Sequence, residues 1–252
     1  VPELHVEEAG AGPSIVFVHD GLLHRQTWDA QFEAFARRYR VIRWDRRGYG
    51  LSDPAREPYS SLDDLVSIVE RSGPATVVGC SYGALLSVHC ALDRPDLVTG
   101  LVLVAPIISG LRFSEHFRTR GRRLTRADLS LAEEIEYLSR TDPWFVAPGN
   151  EAARDRVRDL LTANPHNLEP KAALERQPEP PALPRLGEIE VPTLILVGES
   201  DIADVHAHAG AIEAGIRYTL RVVLTRCGHL PQLERPEAFN QVVLEFLDAS
   251  GR

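Results

Sequence analysis

Three residue types in this chain could together cleave an acyl bond: Ser81, His229 and an acid near residue 200. Serine is a weak nucleophile at neutral pH. It needs a base within hydrogen-bond reach, and the base needs a carboxylate to orient it. Ser81 stands in Gly79-Cys80-Ser81-Tyr82-Gly83. The run before it, Ala75-Thr76-Val77-Val78, reads as a short buried strand, and the run after it, Ala84 to Leu92, reads as a helix. A serine on so sharp a strand-to-helix turn is strained, and flanking glycines remove Cβ atoms that would collide. Such a turn lifts the hydroxyl clear and aims the Tyr82 N–H at the carbonyl under attack. The pentapeptide alone also fits an ordinary βα turn; its strand and helix context favours the nucleophilic reading.

His229 closes Arg226-Cys227-Gly228-His229, just past the last predicted strand. Three acids follow the strand Thr193–Val197: Glu199, Asp201 and Asp204. Strand ends on one edge of a parallel sheet converge, so long separations in sequence are no obstacle. Cys80 occupies the position that points back into the core and reads as a buried apolar thiol. His206 and His208 read as solvated or as incidental lining. No third partner has metal-ligand spacing, so no metal is expected.

The elements that must position these groups follow in order. Residues 3–8 predict an edge strand, closed by Gly10-Ala11-Gly12-Pro13. Ile15–Val18 predicts a strand buried on both faces, ending in His19-Asp20-Gly21. Thr27 is expected to N-cap a helix through about Arg38, with Trp28, Phe32, Phe35 and Tyr39 on one face. Strand Arg40–Trp44 runs into a turn-rich loop from Asp45, and a helix from Ser61 stops at Gly73-Pro74. The serine's own strand comes next, and Val98–Ala105 is a further strand. Residues 108–187 hold no convincing strand; they show helical periods broken by Pro143, Pro148 and Pro165, and end in a proline-rich tether at 177–184. Strand Thr193–Val197, a helix over about 204–214, strand Tyr218–Leu224 and a helix opened by Pro236 complete the chain. Alternation with short links predicts an α/β protein with a doubly wound, mostly parallel sheet. A helical cap, residues 108–187, is inserted between two strands of a core made of 1–107 and 188–252.

With 252 residues, 44% hydrophobic and 25% charged, the chain suits one large globular domain with an insertion. A net charge of −8 argues against nucleic acid as a partner. No apolar run is long enough for a membrane span, and no leader pattern is visible at the start. Cys80, Cys90 and Cys227 form no paired framework and suit a reducing cytoplasm.

Five motifs in order resemble the α/β-hydrolase superfamily. They are His19-x-Gly21, Asp45-x-Arg47-Gly48-x-Gly50-x-Ser52, the serine pentapeptide, Gly198-x-x-Asp201 and Cys227-Gly228-His229. The nearest groups are small esterases, enol-lactonases of the 3-oxoadipate type and cofactor-free perhydrolases. The resemblance implies Ser81 as nucleophile, His229 as base and Asp201 as its orienting acid, with no cofactor. It implies an oxyanion hole from the N–H groups of Gly21 and Tyr82, and a small-molecule ester or lactone as substrate. His19 and Arg47 resemble loop-bracing residues. The family has His-Gly where this chain has His19-Asp20. A carboxylate in the hole would oppose the developing charge, so Asp20 is expected to turn toward Arg46, Arg47 or His24; the alternative is that it meets a polar substrate. Leu22, Trp28 and Leu230 are further pocket candidates. Arg118, Arg120, Arg122, Arg123 and Arg126 read as a solvated face, with attraction of an anion as the alternative. Serine at residue 81 argues against dehalogenases and epoxide hydrolases of this fold, which use aspartate there. Leu230 stands where many meta-cleavage carbon–carbon hydrolases have tryptophan. A non-catalytic ligand-binding member of the fold is the alternative from a different class.

Overall fold

The computed structural model describes residues 3–124, 129–171 and 173–251. Seven strands form one sheet: β1 (Val6–Ala9), β2 (Ser14–Val18), β3 (Arg40–Trp44), β4 (Ala75–Cys80), β5 (Val98–Val104), β6 (Thr193–Gly198) and β7 (Thr219–Leu224). Their order is β1-β3-β2-β4-β5-β6-β7. Only β1 runs antiparallel, against β3. Strands β4 and β6 are buried at every position, as the unbroken apolar runs require when helices cover both faces. Edge strand β1 alternates exposed and half-buried residues instead.

Helices α1 (Asp29–Phe35), α2 (Ser61–Ser72) and α3 (Tyr82–Asp93) link the first strands. Between β5 and β6 lie α4 (Glu115–Leu124), α5 (Leu131–Glu136) and α6 (Glu151–Ala163). Helix α5 runs on through a π-turn, Tyr137–Thr141. Helix α7 (Ala203–Gly215), the single turn α8 (Pro231–Glu234) and α9 (Pro236–Ala249) follow. Two apolar clusters sit on opposite sheet faces, one built on α2, α3 and α7, the other on α1, α6 and α9.

Local chemistry explains most boundaries. The Ser60 hydroxyl caps α2 by accepting from Asp63 N–H at 3.0 Å, and Gly73 ends the helix at φ 74°. The expected Thr27 cap is not made. Thr27 is buried in a 3-10 turn, Arg25–Trp28, and its hydroxyl accepts from Gln232 Nε2 at 3.2 Å. The helix there also ends at Phe35 rather than near Arg38. Turn α8, directly behind His229, was not expected; its Pro231 sits at the first helical position.

The segment between β5 and β6 leaves and rejoins the sheet at one residue. Ser109 accepts from Leu183 N–H through its carbonyl, at 3.0 Å, and from Ala182 N–H through its hydroxyl, at 2.8 Å. His89 Nε2 meets the same hydroxyl at 2.8 Å. The end of the proline-rich run is therefore pinned to α3.

The order reverses between β2 and β4, whose following connections part to leave a crevice at their carboxyl ends. Glycine opens the approach. A Cβ on Gly79 would lie 2.3 Å from Gly83 O, and one on Gly83 would lie 2.4 Å from Val18 O. Gly79→Ala should cost about 3 kcal/mol, because both obstructing atoms are backbone or tightly held. Urea unfolding of the variant beside the parent protein measures it.

Candidate active site

Ser81 sits at φ 54°, ψ −110°, between the last residue of β4 and the first of α3. Its N–H still donates to Val104 O at 2.8 Å, and its carbonyl accepts from Ala84 and Leu85. The side chain therefore projects from a backbone that is bonded on both sides. Tyr82 opens α3, so its amide lies in the first turn and has no intrahelical acceptor. Cys80 is fully buried, and burial pushes its thiol well above the ordinary 9.0. It is packing, not a nucleophile.

His229 meets the acid behind β6. Its Nδ1 lies 2.9 Å from Asp201 Oδ2 and 3.1 Å from Oδ1. Asp201 Oδ1 is fixed by Ile202 N–H at 2.7 Å. The two competing acids point elsewhere: Glu199 accepts from Arg226 N–H, and Asp204 accepts from Ser114 N–H and its hydroxyl. Burial disfavours a charged imidazole, but the Asp201 charge and hydrogen bond outweigh it and hold His229 above its ordinary 6.5. The Cys80 Sγ lies 3.9 Å from the His229 carbonyl, so the His229 turn rests against the residue before Ser81.

Residues 142–150 hold that turn from the other side. His229 N–H donates to Trp144 O at 2.8 Å. The Phe145 ring stacks on the imidazole with centroids 6.0 Å apart. Buried Asp142 orders both residues by accepting their N–H groups, each at 2.9 Å. Glu234, also buried, accepts from Gly228 N–H at 2.8 Å, Leu230 N–H at 3.3 Å and Ala147 N–H at 2.9 Å. One carboxylate thus ties both neighbours of His229 to the segment between β5 and β6. Burial raises its carboxyl above the ordinary 4.5 despite those amides.

Gly21 lies beside Tyr82: a Cβ on it would be 3.9 Å from Tyr82 Cβ. His19 braces the loop. Its Nε2 accepts from Arg46 N–H at 2.9 Å, so the proton is on Nδ1, which donates to Asp20 O at 2.8 Å. Burial and the Arg46 charge hold this imidazole well below 6.5, hence neutral.

Several sequence expectations are corrected. Asp20 turns neither to Arg46, Arg47 nor His24 through its carboxylate. Its Oδ1 accepts from Leu22 and Leu23 N–H at 2.7 and 2.9 Å, inside its own loop. Arg46 takes the Asp20 carbonyl instead, and Arg47 pairs with Asp64. Trp28 and Leu230, expected near the pocket, have no exposed surface. Trp28 packs between Phe17 and Phe239, with centroids at 5.1 and 6.1 Å. Leu22 is half-buried and keeps a face open. His208 is not solvated: it is buried and accepts from Ile108 N–H at 3.0 Å. Arg120 is not a free surface cation but is clamped to Asp142. Arg118 is exposed; the side chains of Arg122 and Arg123, and all of Arg126, lie outside the described residues. Among the described residues, no three His, Cys, Asp or Glu are grouped to hold a metal ion. Two open clefts, about 660 and 460 Å³, flank Tyr59 and Arg47 and include none of Ser81, Asp201 or His229.

Comparison with known proteins places the chain among proteins of similar sequence and fold. The alpha/beta hydrolase family model matches residues 15–242. A pimeloyl-[acyl-carrier protein] methyl ester esterase of Nitrosomonas europaea is 26% identical over 94% of this chain and 96% of its own. A 2-hydroxy-6-oxononadienedioate/2-hydroxy-6-oxononatrienedioate hydrolase of Klebsiella pneumoniae is 30% identical over 97% of this chain and 90% of its own. The solved structure of a thermophilic esterase from Thermogutta terrifontis superposes with a TM-score of 0.77 at 25% identity, covering 99% and 94% of the two chains.

Two measurements follow from the geometry. In an NMR titration His229 should protonate above 6.5, and Asp201→Asn should lower that midpoint, since the variant loses the charge that raises it. Glu234→Ala strands three buried N–H groups and should cost about 3 kcal/mol in denaturant unfolding, with Glu234→Gln recovering part through its remaining oxygen.

Proposed function

The chain belongs to the α/β hydrolase family, and from its site we propose that it hydrolyses a small-molecule carboxylic ester through an acyl-enzyme on Ser81. The observation that carries this is the Asp201–His229 pair, with Nδ1 held at 2.9 Å, brought to the end of the strand that presents strained Ser81. Asp201 holds the imidazole with its proton on Nδ1, which leaves Nε2 free to act as base.

The mechanism runs as follows. His229 Nε2 takes the Ser81 proton while Oγ attacks the ester carbonyl. The carbonyl oxygen becomes an oxyanion, met by the N–H groups of Tyr82 and Gly21. Collapse expels the alkoxide, which takes the proton from His229, and an acyl-serine remains. Water, deprotonated by His229, then releases the acid and restores Ser81. The imidazolium formed in each step faces the Asp201 carboxylate, which stabilises it.

Residues 108–187 act as the cap in this reading and set which esters enter. Two contacts support that role: Trp144 and Phe145 lie against His229, and Glu175 accepts from the Tyr82 hydroxyl at 3.1 Å. The cap thus meets both the base and the residue after the nucleophile. Lactone and perhydrolase chemistry would use the same acyl-enzyme and differ in the second nucleophile. The 2-hydroxy-6-oxononadienedioate/2-hydroxy-6-oxononatrienedioate hydrolase relative supplies a second reading, hydrolysis at a carbon–carbon bond, favoured by its 30% identity. The intact acid–base pair favours turnover over a ligand-binding role. The three buried free cysteines suit the reducing cytoplasm. Among the described residues, no helix is long and apolar enough to cross a membrane.

A p-nitrophenyl ester series from acetate to octanoate tests the proposal. Ser81→Ala should lower kcat by about four to six powers of ten, and kcat/KM should rise with pH through a midpoint above 6.5. If the native protein ignores every ester yet cleaves a 2-hydroxy-6-oxodienoate, the carbon–carbon reading replaces this one.

A further inference from the structure

The loop that offers the Gly21 amide is bonded at both carbonyls of that stretch and at the amides that follow. The Asp20 carbonyl accepts from His19 Nδ1 at 2.8 Å and from Arg46 Nη2 at 3.0 Å. The Gly21 carbonyl accepts from the Tyr49 hydroxyl at 2.8 Å. The amides of Leu22 and Leu23 go to Asp20 Oδ1. Among the described residues the Gly21 amide has no internal acceptor. A trans peptide is planar, so the Asp20 C=O and the Gly21 N–H point in opposite directions. Two donors that draw the carbonyl inward therefore turn the amide hydrogen outward.

The two donors differ in kind. Neutral His19 supplies only a dipole. Arg46 supplies a full charge and is almost entirely buried, at 1% exposure. Its guanidinium lies over the rings of Tyr49 and Tyr82, 4.5 and 4.6 Å from their centroids. Its Nη1 faces Glu175 at 3.4 Å, so the countercharge is reached through a different nitrogen from the one on the peptide. Glu175 also accepts from the Ser61 hydroxyl and from the Tyr82 hydroxyl. One arginine is thus in contact with the peptide carrying the Gly21 amide and with the side chain of the residue carrying the other amide.

We propose that Arg46 is a positioning residue of the oxyanion hole, whose buried charge on the Asp20 carbonyl orients and polarises the Asp20–Gly21 peptide. A hydrogen bond accepted at a peptide's oxygen strengthens the one its N–H donates, and low dielectric enlarges the effect. The Gly21 amide then stabilises an oxyanion more than a carbonyl, which is the difference that accelerates the reaction. The proposal rests on the acyl-enzyme reading above.

The test compares native protein, Arg46→Gln and Arg46→Lys on p-nitrophenyl acetate and on an aryl trifluoromethyl ketone. The ketone adds to Ser81 as a hemiketal whose oxygen anion lies in the hole. Gln keeps a donor without the charge; Lys keeps the charge. With Gln, kcat should fall about ten- to hundredfold with KM nearly constant, and ketone affinity should fall by a like factor. Lys should recover part of both. If Arg46→Gln does not fold, Arg46→Gln/Glu175→Gln removes both buried charges together and carries the same comparison. Ketone affinity equal to that of the native protein, whatever the melting temperature, overturns the proposal and leaves Arg46 as packing. A native protein that neither turns over the ester nor binds the ketone overturns the acyl-enzyme reading itself, and this inference with it.

Discussion

A serine with φ 54° and ψ −110° persists only where its surroundings leave it no alternative. Such a backbone costs on the order of 1–3 kcal/mol, which burial of the flanking elements must offset. Here β4 is buried at all its positions and α3 is buried from Gly83 to Leu92. The absent Cβ atoms do more than permit the turn. Gly79 lets the strand approach its own helix, while Gly83 lets that helix press on the end of β2, at Val18 and His19. His19 then braces Asp20 and Gly21. The turn that strains the serine and the loop that offers the Gly21 amide are therefore held by one close contact. Gly198 repeats the device: a Cβ there would lie 2.0 Å from Gly228 O. It brings the end of β6, and so Asp201, against the His229 turn.

The insertion is joined to this frame by buried carboxylates. Glu234 binds amides on both sides of His229 and also Ala147, 87 residues away in sequence. Glu175 binds the Tyr82 hydroxyl, 93 residues away. Lys171 donates to the carbonyls of His166, Asn167 and Glu169 and lies 4.5 Å from the Tyr49 ring centroid. A cap that swung as a whole about its proline-rich stem would keep the Lys171 bonds, which lie within it, but would break the Glu234–Ala147, Glu175–Tyr82 and Lys171–Tyr49 contacts, at a cost of about 1–3 kcal/mol for every buried group left unpaired. Motion that admits substrate is cheaper where such bonds are few. The contacts that hold the His229 turn and Tyr82 are in this sense shared between the sheet and the segment between β5 and β6.

The strands and the groups at their ends were legible because each depends on a short, local pattern. Apolar runs of four to six residues flanked by glycines and helical periods read as buried strands, and Ser81 and Asp201 follow such runs, β4 and β6; His229 follows the half-exposed edge strand β7, legible from its β-branched residues and the glycine beyond it. What could not be read are contacts whose two halves lie far apart. Nothing near Glu234 indicates that its carboxylate folds back onto Gly228 and across to Ala147; the spacing from His229, on a turn opened by Pro231, was the only available sign. Arg47 was the arginine the motif singled out, with Arg46 only one of three partners expected for Asp20, yet Arg46 is the one buried between two tyrosines while Arg47 pairs with Asp64. Trp28 misled because an aromatic close to the crevice in sequence serves equally as core, and only the position of Phe17 and Phe239 decides. Thr27 misled for a related reason: its hydroxyl had a better partner in Gln232, two hundred residues on.

Ester cleavage separates charge: the imidazole gains a proton as the carbonyl oxygen gains electrons. Asp201 stands on the side where positive charge appears. An acid at Asp20, where the family has glycine, adds negative charge on the side where the oxyanion forms. Its Oδ1 is neutralised in part by two amides, while its Oδ2 is buried with no partner. Uncompensated, that oxygen would oppose the reaction. The compensation comes from a cation on the same residue's carbonyl, Arg46, held so that it cannot drift away. In the proposed reaction Asp201 would face the imidazolium, and Arg46, with Glu175 as its countercharge, would bear on the peptide beside the oxyanion. In that reading Asp20 and Arg46, joined through the Asp20 carbonyl, act as a single electrostatic unit.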